Sequence, residues 1–151
     1  MAFISDYDQG VIREHLEKHM ESEVEMVLFT QRPSVLYVPG RQECETCKET
    51  QQLLEELIEL SGKIKLTVHE IGEAREEAFK YGVDRVPAII LKGAGRGLVR
   101  FFGIPSGYEF TSFLDDIVDA SKGTTELSQE TKDFLAGLDR NVNIKVFTTP
   151  T

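Results

Sequence analysis

Cys44 and Cys47 are the only thiols in this 151-residue chain, and two residues separate them in "QECETCKE". Thiols at that spacing can form half of a zinc site, a structural staple or a reversible redox pair. On a helix, positions i and i+3 share a face, with side chains about 5–6 Å apart. Small adjustments bring such a pair within reach of a disulfide, whose Cα atoms sit about 4.4–6.8 Å apart. A helix N-terminus also offers unpaired N–H groups and partial positive charge, which stabilise a thiolate and lower a thiol pKa from its free value of about 8.5. Cys44, nearest the helix end, is therefore expected to be the exposed nucleophile. Cys47, one turn further in and in line with Leu54, is expected to be the buried resolving thiol. Glu43 and Glu45 disfavour the thiolate, whereas Arg41 and Lys48 favour it. A less stable thiolate makes a weaker oxidant, so these mixed signs place the pair toward the reducing end.

The elements that must position the pair follow from periodicity. "DYDQGVIREHLEKHME" carries Val11, Ile12, Leu16 and Met20 at helical spacing, and "EVEMVLFT" reads as a strand. After the breaker-rich "QRPSVLYVPGRQE", a helix runs from the cysteines through Leu53, Leu54, Leu57 and Ile58 to a stop at Gly62. "KIKLTVHEI" is a strand and "EAREEAFKYGV" a short helix. "VPAIILKG" and "GLVRFFG" are two strands joined by a glycine turn, and "GYEFTSFLDDIVDASKG" is an amphipathic helix. A βαβ half followed by a ββα half is the pattern of a thioredoxin-like α/β fold, a central mixed β-sheet flanked by helices. The cysteines then sit where the first βα turn enters its helix. In such folds a cis-proline loop faces the CxxC, and its backbone can pair with an extended substrate segment. Pro87, 87 − 47 = 40 residues on, is expected to be that proline, with Val86 before it; the alternative is a trans proline opening a strand.

Composition narrows the class. Hydrophobic residues are 40% and charged residues 28%, an ordinary globular balance, and no apolar run approaches a membrane span. A net charge of −9 argues against nucleic acid or an anionic membrane surface as the main partner. "MAFISDYDQG" lacks the basic and apolar regions of a secretory signal, so a cytoplasmic location is expected. No linker divides residues 1–121, which are read as one unit. Residues 122–151 are read as a connecting helix, with Ser128 as N-cap, and a further strand. "VNIKVFT" at 142–148 echoes "VEMVLFT" at 24–30, an offset of 142 − 24 = 118, as if a second copy of the first strand were beginning. The simpler alternative is a terminal strand added to the sheet.

"CETC" before a Leu-rich helix, together with "GVDRVPAIIL", resembles the thioredoxin and glutaredoxin superfamily. "FISDYD", "RFFGIPSGYEFTSFLDDIVDAS" and "NIKVFTTPT" resemble, more narrowly, the two-unit glutaredoxin-like protein disulfide oxidoreductases of archaea and thermophilic bacteria. That resemblance implies an enzyme acting on protein disulfides through Cys44 and Cys47, with Val86 and Pro87 holding substrate and Glu45 and Lys48 tuning the thiol. It implies recycling by a thioredoxin-reductase-like flavoenzyme, with no cofactor or metal of the chain's own. The sequence stops where the family's second CxxC would begin, which presents it as an N-terminal unit whose strand edge would favour self-association. It also departs from the family between Thr30 and Cys44, 44 − 30 = 14 positions apart, where "RPSVLYVPGRQ" looks inserted. Either "SVLYV" is an added strand or it replaces "VLFT" as the strand feeding the site.

Other readings stand beside this one. Zinc would need four ligands, and His15 and His19, at i and i+4, are a conceivable second pair. A cysteine hydrolase would pair Cys44 with His69, yet no oxyanion site or orienting carboxylate is marked. "GAGRG" fails the GxGxxG phosphate motif because Leu98 stands at its last position. A docking or dimerisation module without turnover is the principal alternative.

Overall fold

The computed structural model describes residues 2–34, 36, 39–40, 42–95 and 97–149. The first helix, α1 (Asp6–His19), is capped by Ser5, whose side chain accepts from the Asp8 N–H. Asp6 and Asp8 occupy its first turn and Lys18 and His19 its last, which matches the helix dipole at both ends. Ile12 and Leu16 turn inward, whereas Val11, expected on the same apolar stripe, is 52% exposed. Its position on the heptad takes it to the edge of the stripe rather than its centre.

The chain then enters β1 (Val24–Thr30), crosses through α2 (Cys47–Ile58) and returns as β2 (Ile64–Glu70). A short α3 (Arg75–Lys80) leads to the antiparallel pair β3 (Ala88–Lys92) and β4 (Val99–Phe102), followed by α4 (Tyr108–Lys122). The four strands form one sheet in the order β2-β1-β3-β4, with β1 parallel to β2 and antiparallel to β3. The thioredoxin-like expectation of a mixed sheet between helices is met.

β1 and β3 occupy the centre because they are apolar on both faces. Val24, Met26 and Leu28 of β1, with Ile89 and Leu91 of β3, pack against α1, α2 and α4. The alternate residues Val27 and Phe29, with Ala88 and Ile90, pack on the other face against Ala78 and Val83 around α3. The two-residue period of a strand produces this division. Each large side chain buried this way contributes roughly 1.5–3 kcal/mol, more than an exposed ion pair supplies, so burial sets the register. Close approach of β3 to α4 requires glycine: a Cβ on Gly93 would lie 2.0 Å from the Ala120 carbonyl oxygen. Gly123 ends α4 in the left-handed conformation, φ +63°.

Two expectations are corrected. The active-site helix begins at Cys47 and not at Cys44, because Thr46 departs from helical geometry at φ −115°, ψ 5°. Beyond α4, α5 (Gln129–Ala136) forms with Ser128 as its N-cap, but residues 141–149 carry no regular structure and add no strand to the sheet. A strand exists only by pairing, and within the described residues no edge receives this segment. "VLFT" belongs to β1 and so remains the strand feeding the site. Of "SVLYV", residues 35, 37 and 38 lie outside the described residues, as does Arg41. Among the described residues no helix is long and apolar enough to cross a membrane.

Candidate active site

Strand register brings the cysteine and proline loops together. Phe29 of β1 pairs with Ala88 of β3. The chain leaves β1 just past Phe29 and arrives at β3 through Pro87, so both loops open at the same end of the sheet. Pro87 lacks an N–H but uses its carbonyl, which accepts from the Gly103 N–H at 2.9 Å and so continues the β3–β4 pairing. The Val86–Pro87 peptide is cis.

Cys44 and Cys47 are joined by a disulfide, with Cα atoms 5.6 Å apart. Their environments differ. Cys47 is the first residue of α2 and only 1% exposed, whereas Cys44 precedes the helix and is half-buried. Thr46 makes no side-chain cap, so the first-turn amides of α2 face the sulfurs' end of the helix without a side-chain acceptor. Behind Cys47, Thr50 is fully buried, and its hydroxyl donates to the Thr46 carbonyl at 2.7 Å. That bond pins the turn from beneath.

A cleft of about 780 Å³ is lined by Gln31, Gln42, Glu43, Cys44, Glu45, Thr46, Asp84, Arg85, Val86 and Pro87. The structure therefore gathers Cys44, Glu45, Val86 and Pro87. Buried Cys47 lies behind this surface, and exposed Lys48 does not line it, because the helix turns it outward. Of this lining, Gln31, Gln42, Thr46, Asp84 and Arg85 escaped the sequence reading. Gln31 accepts the Cys44 N–H on Oε1 at 2.8 Å, and Asp84 and Arg85 form a two-pronged pair at 2.8 and 3.0 Å. The Arg85 hydrogen bond holds the Asp84 carboxyl below its ordinary range, and the Arg85 guanidinium lies 5.5 Å from the Phe102 ring centre. Their one visible signal was adjacency: Gln31 directly follows a strand, and Asp84–Arg85 directly precedes the Val–Pro pair.

The residues of the competing readings lie elsewhere. His15 sits 3.6 Å from Asp115, and its ring centre is 4.8 Å from that of His19, both on α1. A separate apolar concavity of about 660 Å³ between α1 and α4 holds His15 but neither cysteine. His69 stacks on Phe29 at 5.3 Å and does not line the cysteine cleft.

A family described as thioredoxin domain matches residues 34–115, more than half of the chain. Among curated proteins, none matches. Among solved structures, a protein disulfide oxidoreductase from Aeropyrum pernix K1 is similar at 27% identity and a TM-score of 0.73, over 91% of this chain and 56% of that one. The alkylhydroperoxide reductase AhpF from Enterococcus faecalis V583 is similar in fold at 19% identity and a TM-score of 0.72, over 90% of this chain and 61% of that one. A structure of the N-terminal domain of the same protein gives 19% identity and a TM-score of 0.69, over 89% and 61%. The chain thus spans little more than half the length of these similar proteins.

Proposed function

Because the chain belongs to the thioredoxin domain family, we propose that it is a thiol–disulfide oxidoreductase acting on protein disulfides. The observation that carries this reading is the half-buried Cys44, bridged to a buried Cys47 and facing Val86–Pro87 across one cleft. In the reduced pair the Cys44 thiolate attacks a substrate disulfide, forming a mixed disulfide and expelling one substrate thiolate. Cys47 then loses its proton and attacks the Cys44 sulfur, which releases the second substrate thiolate and forms the Cys44–Cys47 bond. The substrate gains two electrons and two protons, and the pair gives them up. Val86 and Pro87 hold the extended substrate segment beside Cys44.

Glu45, on the cleft surface, works against the thiolate. Lys48, turned outward, compensates weakly through solvent, so the pair lies toward the reducing end. A flavin-dependent reductase of the thioredoxin-reductase kind returns the pair to dithiol in the cytoplasm. This chemistry asks for no cofactor of the chain's own. Dithiothreitol-driven insulin reduction tests the reading: the parent protein turns over, and Cys44→Ser falls to background. Equal rates for parent and variant would refute it.

Residues 1–121 are, on this reading, the N-terminal unit of a two-unit oxidoreductase, and 122–151 begin the second. Support comes from α5, which repeats the start of α1. A serine caps each helix, Ser5 and Ser128, and an apolar pair, Val11–Ile12 or Phe134–Leu135, follows six positions later. α5 buries none of its residues, and Val142, Ile144, Val146 and Phe147 are exposed by 59–90%. So much exposed apolar surface also favours self-association of the isolated chain. Sedimentation at rising concentration reads that directly, and a constant monomer mass would count against it.

A further inference from the structure

Resting on the oxidoreductase reading above, we propose that Gln31 is a positioning residue for Cys44: its Oε1 fixes the Cys44 main chain and its Nε2 donates to the Cys44 thiolate once the pair is reduced. The segment that separates β1 from the cysteines leaves the sheet at Thr30 and reaches the turn before α2 at Cys44. Two rungs close its neck. Gln31 Oε1 accepts the Cys44 N–H at 2.8 Å, and Glu43 Oε2 accepts the Ser34 N–H at 3.4 Å. The first rung is the shorter and ends on the reactive residue itself. A loop of this length would otherwise deliver Cys44 with the positional spread of its own backbone, and a neck bond removes that freedom at the point of chemistry.

The second half of the role follows from what the amide has left over. A glutamine side chain offers an acceptor and two donors. The acceptor is spent on the Cys44 N–H. The two N–H groups on Nε2 are not used by that bond, and Gln31 lines the same cleft as Cys44 and Pro87. Held by its oxygen to the Cys44 N–H, the amide stays anchored to the residue that carries the sulfur, in the cleft that both line. A donor there favours the anion over the neutral thiol, because hydrogen bonds to a charged acceptor are the stronger kind. Glu45 opposes the thiolate in the same cleft, so the amide supplies a local counterweight carrying no charge.

The experiment is the pH profile of Cys44 alkylation by iodoacetamide in the fully reduced protein, with the modified residue identified by mass spectrometry. Gln31→Met, of similar length and without polar atoms, is expected to raise the profile's midpoint and to slow alkylation at pH 7 about tenfold. A residue that merely closes the loop would change protein stability and leave that midpoint unmoved. Gln31→Glu keeps the acceptor for the Cys44 N–H and so keeps the neck. It removes the donor and adds charge, and its midpoint is expected to rise further. A Gln31→Met midpoint equal to the parent's overturns the proposal; should that variant fail to fold, an unshifted Gln31→Glu midpoint does so. Insulin reduction by the parent is measured alongside. Failure there rejects the oxidoreductase reading while the profiles still decide the role of Gln31, and turnover with unmoved profiles rejects Gln31 alone.

Discussion

"VEMVLFT" and "VNIKVFT" share Val, Phe and Thr at matching positions, yet the first is an inner strand of the sheet and the second forms no strand at all. Local preference is nearly the same in both. The difference lies in what each meets. Residues 24–30 find β2 on one side and β3 on the other, and Phe29 is 0% exposed. Phe147, its counterpart 118 positions later, is 90% exposed. The helices before them repeat the contrast. The N-terminal stretch is tied to α2 by main-chain N–H groups of Phe3 and Ile4 donating to Glu56, across 53 and 52 residues. Side-chain hydrogen bonds around α5 reach four residues or fewer. A strand-like sequence becomes a strand only when long-range partners accept its backbone.

The two phenylalanines carry the largest expected difference. Phe29→Ala is expected to cost about 3–5 kcal/mol in urea unfolding, whereas Phe147→Ala stays within about 0.5 kcal/mol of the parent. Similar losses at both sites would mean that the second segment is packed after all. A smaller effect sits at Glu56. Burial pulls its carboxyl up, but the Ile4 N–H, the Gln52 amide and the Phe3 N–H together outweigh that and hold it below 4.5. A carboxyl depressed in the folded state stabilises above its unfolded pKa, and that gain is lost as pH falls through the folded value. The stability gap between the parent and Glu56→Gln should therefore be full at pH 7 and close below about pH 4.5. A gap that stays constant down to pH 3 would contradict the assignment. Smallest are the caps: Ser5→Ala should lower stability by about 1 kcal/mol, while Ser128→Ala leaves the main transition where it was. Circular dichroism melts of the two variants make that test.

These contrasts also mark how far the sequence could be read. The cysteine pair, the Val–Pro step and the order of elements are local patterns, and they were legible. The start of α2 was misplaced by three residues because Thr46 leaves helical geometry at a turn closed by the disulfide, which periodicity does not register. Lys48 was read as favouring the thiolate, and it is exposed and outside the cleft lining. Gln31 and the Asp84–Arg85 pair reach the cleft only through the Phe29–Ala88 register, a contact across 59 positions that no window of sequence displays. Residues 142–148 carry the pattern of a strand and pair with none of the described strands.

The central claim is that Cys44 and Cys47 form a redox pair of unequal sulfurs, the first accessible and activated at the mouth of α2, the second enclosed. Alkylation of the reduced protein across pH, read separately at each cysteine, tests it most directly. Cys44 is expected to react with a midpoint below the free-thiol value of about 8.5, while Cys47 is protected until the protein unfolds. Two thiols reacting alike, at the pH of an ordinary free cysteine, would contradict it.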